Sequence, residues 1–145
     1  MLKGISPILS PSLLKVLCEM GHGDEIVIAD GGFPSESIAK GNIIVRADGV
    51  GTKEMLEAIL PLFPLDQYDS QNFILMDIVH GDNVNPVIWN DYEKIIRKYE
   101  PDAKAIKIER NVFYDRAKKA YAVIATSETA QYANIILKKG VCCRG

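Results

Sequence analysis

Short runs of apolar, mostly β-branched residues alternate along this chain with segments of helical periodicity. The predicted strands cover residues 25–29, 43–46, 73–78, 105–108, 121–125 and 134–137, and the predicted helices cover residues 11–20, 52–60, 85–100 and 111–120. Strands in such alternation form a sheet that is mainly parallel and that carries helices on both faces. The pattern therefore predicts an α/β fold, a three-layer α/β/α arrangement around a mostly parallel sheet.

One domain accounts for this succession of elements. The chain has 145 residues, of which 48% are apolar, and this is enough to bury one hydrophobic core. No Pro/Gly/Ser-rich tract, internal repeat or low-complexity segment divides it. We predict a single domain over residues 1–141 and a C-terminal tail over residues 142–145.

The balance of charge argues against several classes of partner. The 17 basic and 19 acidic side chains leave a net charge of −2, and the sequence pI is about 5.7. Such a chain has no positive field to attract nucleic acid, and no window holds the roughly 20 apolar residues that cross a bilayer. We expect a soluble cytoplasmic protein that binds neither nucleic acid nor membrane.

His22 lies between two glycines in the segment Gly21-His22-Gly23-Asp24. This segment connects the first predicted helix to the first predicted strand. Histidine titrates near pH 6.5 and can serve as a general acid or base at neutral pH. The glycines leave room for backbone turns and for a ligand. From spacing alone, a catalytic His22 and a structural His22 both remain open.

Polar residues follow two of the predicted strands. Asp30 comes directly after the first strand, at the edge where open α/β sheets bind ligands, although an aspartate there also commonly begins a turn. Arg110 follows the fourth strand, and Tyr114 lies one helical turn later on the same helix face. Arg110 and Tyr114 are therefore candidates to bind one polar ligand.

The sequence predicts neither a metal nor a cofactor. The segment of residues 49–53 lacks the Gly-Lys-Ser/Thr order of a phosphate-binding loop. The two histidines, His22 and His80, have no metal-ligand spacing, and His80 is predicted to be an exposed loop residue. A zinc site assembled from these histidines and Asp24 has no support in the spacing.

The three cysteines do not predict a disulfide framework. Cys142 and Cys143 are adjacent, and a bridge between neighbours in sequence would be strained. Cys18 falls within the apolar pattern of the first helix, so we expect it to be a small buried hydrophobe.

The sequence resembles the fucose mutarotase and ribose pyranase family over nearly its whole length. The segments that carry the resemblance include Met20-Gly21-His22-Gly23-Asp24-Glu25-Ile26-Val27, Phe33-Pro34, Arg46-Ala47-Asp48-Gly49, Pro64-Leu65-Asp66, Ile108-Glu109-Arg110, Phe113-Tyr114 and Tyr132 with Asn134-Ile135-Ile136-Leu137-Lys138-Lys139-Gly140-Val141. The resemblance implies a cofactor-free enzyme that interconverts the anomers of a free sugar. It further implies a ring-shaped homo-oligomer, expected to be a decamer, with sites at the contacts between subunits.

The resemblance also implies roles for individual residues. The residues expected to be catalytic are His22, as the proton donor, Asp30 and Tyr114. The residues expected to bind the sugar are Asp30, Asp66, Arg110, Tyr132, Ala133 and Asn134. No metal and no cofactor are implied.

The resemblance leaves the sugar open between two branches of the family. L-fucose is the expected substrate. The segment Tyr132-Ala133-Asn134-Ile135-Ile136-Leu137, however, has the sequence associated with the branch that converts D-ribose between pyranose and furanose forms. A non-catalytic sugar-binding module associated with transport and a purely structural ring protein are the remaining alternatives.

Overall fold

The computed structural model describes residues 1–142. Its strands are β1 (Glu25–Ala29), β2 (Ile43–Ala47), β3 (Phe73–Met76), β4 (Ala105–Ile108), β5 (Ala122–Thr126) and β6 (Ile135–Lys138). Its helices are α1 (Pro11–Glu19), α2 (Ser35–Ile38), α3 (Thr52–Ile59), α4 (Ile88–Tyr99) and α5 (Arg110–Lys118), and a 3₁₀ turn (Leu60–Leu62) follows α3.

The strands form one mixed sheet in the order β2-β5-β1-β6-β3-β4. β5 pairs in parallel with β1 and β2, and β3 pairs in parallel with β4. β6 runs antiparallel to both of its neighbours, β1 and β3, and it therefore joins the two parallel groups of strands. The predicted α/β fold with a mostly parallel sheet is confirmed.

Successive residues of β1 face opposite sides of the sheet and bury into two different cores, as the pleat requires. Ile26 and Ile28 pack with α1, α3 and α4 in the larger core, whereas Val27 and Ala29 pack with α2 and α5 in the smaller one. All four are fully buried. Helices thus cover both faces of the central strand, and the functional side chains are left to the loops at the two ends of the sheet.

The local signals at helix ends act as expected. Ser10 precedes α1, and its side chain accepts a hydrogen bond from the Leu13 backbone N–H at 3.2 Å. Pro11 occupies the first helical position, where its missing N–H costs nothing.

Several predicted boundaries are wrong by a few residues. β3 ends at Met76 rather than at residue 78, and α4 begins at Ile88 rather than at residue 85, because residues 77–87 form an irregular loop. The short helix α2 was not predicted, since four residues are too few to show a period. The tail predicted over residues 142–145 lies almost entirely outside the described residues.

The prediction that Cys18 is buried is wrong. The core-facing residues of α1 are Leu13, Val16 and Leu17, and Cys18 lies about 100° around the helix from Leu17, on the exposed side. Cys142 is also exposed, and Cys143 lies beyond the part of the chain that the structure describes.

None of the helices within residues 1–142 combines the length and the apolar character needed to cross a membrane.

Candidate active site

Asp30 and Asn134 lie side by side at the carboxyl end of β1. The pairing of Ile28 with Ile135 in the antiparallel ladder places the start of β6 next to the end of β1. The Asp30 backbone N–H donates to Asn134 Oδ1 at 2.8 Å, and Asp30 Oδ1 accepts from the Gly32 backbone N–H at 3.0 Å. The antiparallel strand therefore brings together two polar residues that are 104 positions apart in sequence.

These two residues open onto a small cavity of about 280 Å³ at this end of the sheet. The cavity is lined by Asp30, Gly32, Phe33, Met76, Val79, Asp82, Arg110, Tyr114, Gln131, Tyr132 and Asn134. Its volume is slightly below the roughly 300–1,000 Å³ typical of sites for drug-sized ligands, which fits a small molecule such as a monosaccharide. The lining combines carboxylates, a guanidinium and two phenols with aromatic and aliphatic surface, which suits a small ligand with several hydroxyl groups.

Arg110 and Tyr114 enter this cavity from the first two turns of α5. The Glu109 side chain caps the helix by accepting from the backbone N–H groups of Asn111 and Val112 at 2.9 and 3.2 Å. The Arg110 guanidinium lies 5.3 Å from the centre of the Tyr114 ring. Helical spacing of four residues explains why both face the same cavity, as the sequence predicts.

Burial raises the pKa of the Asp30 carboxyl above its ordinary value, against the lowering effect of hydrogen bonds from the backbone N–H groups of Gly32, Ala133 and Phe33. A carboxylate with a raised pKa is a stronger base than an exposed one. Asp30 is therefore suited to accept a proton from a hydroxyl group of a ligand.

Tyr132 holds a backbone conformation that is unusual for its residue type. Its φ of 56° lies in the left-handed region, and among the described residues it is the one non-glycine residue with positive φ. Two side chains of α4 bind two consecutive backbone carbonyls of this segment. Trp89 Nε1 donates to the Tyr132 carbonyl oxygen at 2.8 Å, and the Tyr92 hydroxyl donates to the Ala133 carbonyl oxygen at 2.6 Å. Such strain is commonly stored at functional sites.

The predicted binding segment of residues 132–134 contributes to the cavity in unequal ways. Tyr132 and Asn134 line it with their side chains. The Ala133 side chain is fully buried in the larger core. Ala133 is therefore limited to a backbone role, which the sequence pattern did not predict because the burial depends on packing against α4.

His22 lies at the other end of β1, in the turn between α1 and the strand. Its Nε2 is 3.1 Å from Asp66 Oδ1, and its ring centre is 5.5 Å from that of Tyr68. Asp66 also accepts from the Tyr68 backbone N–H at 3.0 Å. The Asp66 side chain is 4% exposed whereas that of His22 is 47% exposed, so a buried carboxylate orients an imidazole that solvent and ligands can reach.

Lys139, directly after β6, fixes the turn that carries His22. Its backbone pairs with the turn through the Gly23 N–H and the Asp24 carbonyl, both at 2.8 Å. Its ammonium donates to the Leu17 and Met20 carbonyls at 2.7 and 2.6 Å, where α1 leaves carbonyls without helical partners.

Gly140 supports the carboxylate partner of His22. A Cβ atom at this position would lie 2.5 Å from the Leu65 carbonyl oxygen and 3.0 Å from Asp66 Cα, so the backbone that carries Asp66 would have to move. We expect Gly140→Ala to lower the free energy of unfolding by about 1–3 kcal/mol, measured by urea denaturation. Gly21→Ala is the matched control, because its Cβ would meet only Asp24 Oδ2, at an ordinary 3.8 Å. Equal stability of the two variants would contradict this expectation.

The structure thus divides the sequence-predicted residues into two groups. Asp30, Arg110, Tyr114, Tyr132 and Asn134 share the cavity at the carboxyl end of β1. His22 and Asp66 meet at the amino end of the same strand. The strand itself spans roughly 16 Å at about 3.3 Å per residue. The two groups of one chain therefore cannot act on the same small ligand.

Asp82 was not predicted as a site residue, although it lines the cavity. It lies in the irregular loop between β3 and α4, where no periodicity marks it. His80 in the same loop is exposed, as predicted. Within residues 1–142 no three His, Cys, Asp or Glu side chains form a group able to hold a metal ion.

Comparison with known proteins gives a consistent result over nearly the whole chain. The model of the RbsD / FucU transport protein family matches residues 3–142. The L-fucose mutarotase of Glaesserella parasuis serovar 5 is 51% identical over 142 residues, covering 97% of this chain and 96% of that protein.

Two solved structures have the same fold. FucU from Bifidobacterium longum superposes with a TM-score of 0.94 at 54% identity, covering 97% of this chain and all of that one. The fucose mutarotase of Streptococcus pneumoniae, solved in complex with L-fucose, superposes with a TM-score of 0.89 at 48% identity, covering 98% of this chain and all of that one.

Proposed function

The chain belongs to the RbsD / FucU transport protein family, and from this membership we propose that it is an isomerase that interconverts the α and β anomers of L-fucose. The observation that carries the proposal is the cavity at the carboxyl end of β1, in a chain about half identical to proteins named L-fucose mutarotase. A relative of 48% identity binds L-fucose in its solved structure.

The reaction needs proton transfers and no redox chemistry. For the ring to open, the ring oxygen takes a proton, the bond between it and the anomeric carbon breaks, and the anomeric hydroxyl loses a proton. Rotation about the bond beside the resulting aldehyde and closure in the reverse sense give the other anomer. Positioned acid–base groups contribute roughly 10²- to 10⁴-fold to such a step, so side chains are sufficient.

In the proposed mechanism His22 supplies the proton to the ring oxygen and recovers one on closure. Its imidazole is accessible, and Asp66 is placed to hold it in one orientation. These are the properties that a reversible proton donor requires.

The cavity residues are proposed to bind the sugar and take the hydroxyl proton. Asp30 has the raised pKa that a base of this kind needs. Arg110 stays charged throughout and can hold a sugar oxygen without entering the proton transfers. Tyr114 offers a ring face and a hydroxyl, and Asn134 lines the cavity beside Asp30.

A second copy of the chain is proposed to complete each site. His22 and Asp30 occupy opposite ends of one strand, so both reach one sugar only if the amino end of β1 in one chain meets the carboxyl end in another. We place the activity in a ring of identical chains, a decamer, in the cytoplasm, as the family resemblance of the sequence implies. Each site would then lie at a contact between neighbouring subunits.

The test is NMR saturation transfer between the anomeric protons of L-fucose, with and without the purified protein. We expect faster exchange in L-fucose in proportion to protein concentration. The same measurement on D-ribose tests the alternative suggested by residues 132–137, whose sequence resembles that of the ribose branch. Exchange confined to D-ribose would assign the chain to that branch. Sugar binding without exchange in either would leave a non-catalytic module.

A further inference from the structure

The loop between β3 and α4, residues 77–87, brings a carboxylate to the Tyr132 hydroxyl. Asp82 Oδ2 accepts a hydrogen bond from this hydroxyl at 2.6 Å, a length typical of strong bonds to a charged acceptor. The Val79 backbone N–H donates to the same hydroxyl oxygen at 3.2 Å. All three residues line the proposed sugar cavity.

These two contacts determine what the Tyr132 hydroxyl can offer to a ligand. A tyrosine hydroxyl has one proton to donate and can accept through its oxygen. The proton is directed to Asp82, and Val79 uses part of the accepting capacity. Toward the cavity, the hydroxyl can therefore act only as a hydrogen-bond acceptor. It can accept from an O–H group of a sugar, but it has no proton to donate to a sugar oxygen.

We propose that Asp82 is a positioning residue that fixes the Tyr132 hydroxyl as an acceptor for a sugar hydroxyl during anomer exchange. The inference rests on the proposed function. Asp82 acts through Tyr132, so its effect depends on the phenol being present. Without Asp82 the hydroxyl would rotate, and its proton would compete with that of the sugar.

Two further observations support this role. The hydrogen bond from Trp89 holds the Tyr132 backbone in its left-handed conformation. The position of the Tyr132 Cα is therefore fixed, and its side chain extends from there toward Asp82. The hydrogen bond to Asp82 also raises the pKa of Tyr132, because a neighbouring carboxylate disfavours the tyrosinate anion. A tyrosine is already protonated at neutral pH, and the contact with Asp82 favours that protonated form further.

A double-mutant cycle on L-fucose exchange tests the proposal. We expect Asp82→Ala and Tyr132→Phe each to lower kcat/KM by roughly ten-fold, as for the loss of a hydrogen bond to a charged group. We expect the double variant to be no slower than Tyr132→Phe alone, because Asp82 has nothing to orient once the hydroxyl is gone. Asn83→Ala, a change at the neighbouring exposed loop residue, is the matched control and should keep the wild-type rate.

A second readout reports on the pair without activity. With ¹³Cζ-labelled tyrosine, the Tyr132 resonance is identified by its loss in Tyr132→Phe, and its titration is compared between the wild type and Asp82→Asn. We expect Tyr132 to titrate at a lower pH in Asp82→Asn, which keeps the size of the side chain and removes its charge. An unchanged titration would overturn the proposal.

The outcomes separate the inference from the proposed function. If the wild type does not accelerate L-fucose exchange, the proposed function fails, and the inference fails with it. If the wild type is active and the losses from Asp82→Ala and Tyr132→Phe multiply in the double variant, Asp82 acts independently of Tyr132. The proposed function then stands and the inference is overturned.

Discussion

Replacing His22 with alanine is expected to slow L-fucose exchange by roughly 10²- to 10⁴-fold, the contribution of a positioned general acid–base group. The imidazole is the group proposed to protonate the ring oxygen, and ring opening without it depends on water. Saturation transfer at several sugar concentrations measures the effect. We expect the loss mainly in kcat, because His22 acts on the transition state while the cavity residues hold the sugar.

The variant should remain folded, which makes the result interpretable. The His22 side chain is 47% exposed, and its turn is held by Lys139 through backbone pairing rather than by the imidazole. His80→Ala is the matched control, because His80 is the only other histidine of the chain and lies exposed in a loop. Near-wild-type exchange in His22→Ala would remove His22 from the mechanism.

The strand pattern of the sequence predicted the fold class because buried strands leave a strong signal. Residues 26–29 and 122–125 are apolar throughout and are buried on both faces in the structure. The direction of β6 was not predictable in this way, because a run of apolar residues does not distinguish a parallel from an antiparallel strand. That direction is what places Asn134 beside Asp30.

The site was predictable where a residue follows a strand or carries a family motif. Asp30 and Arg110 were identified because they come at strand ends, and Tyr114 follows from helical spacing. Asp82 was not identified, because its role depends on a hydrogen bond to Tyr132, 50 residues away, from a loop without periodicity. The roles of His22, Asp30 and the other predicted site residues stay predictions until they are tested by substitution.

Asp30→Asn is expected to reduce L-fucose exchange on the same scale as His22→Ala. Asparagine keeps the oxygen that accepts from the Gly32 N–H, so the turn should persist while the basic carboxylate is lost. Because burial raises the pKa of Asp30, wild-type exchange should fall as the pH drops through that raised value, since a protonated Asp30 accepts no proton. This decline should begin above the ordinary aspartate pKa of about 3.9. Ser37→Ala, at an exposed residue of the neighbouring helix α2, is the control.

The most direct test of a site shared between two chains is to mix the two inactive variants. His22→Ala chains keep Asp30, and Asp30→Asn chains keep His22, so a contact between them contains one intact site. Differently tagged variants are co-expressed, mixed oligomers are purified through both tags, and L-fucose exchange is measured by saturation transfer. With random pairing of equal amounts, roughly a quarter of the contacts are intact, and we expect activity to return to about that fraction of the wild-type rate. Mixed oligomers no more active than either variant alone would contradict a site built from His22 of one chain and Asp30 of another.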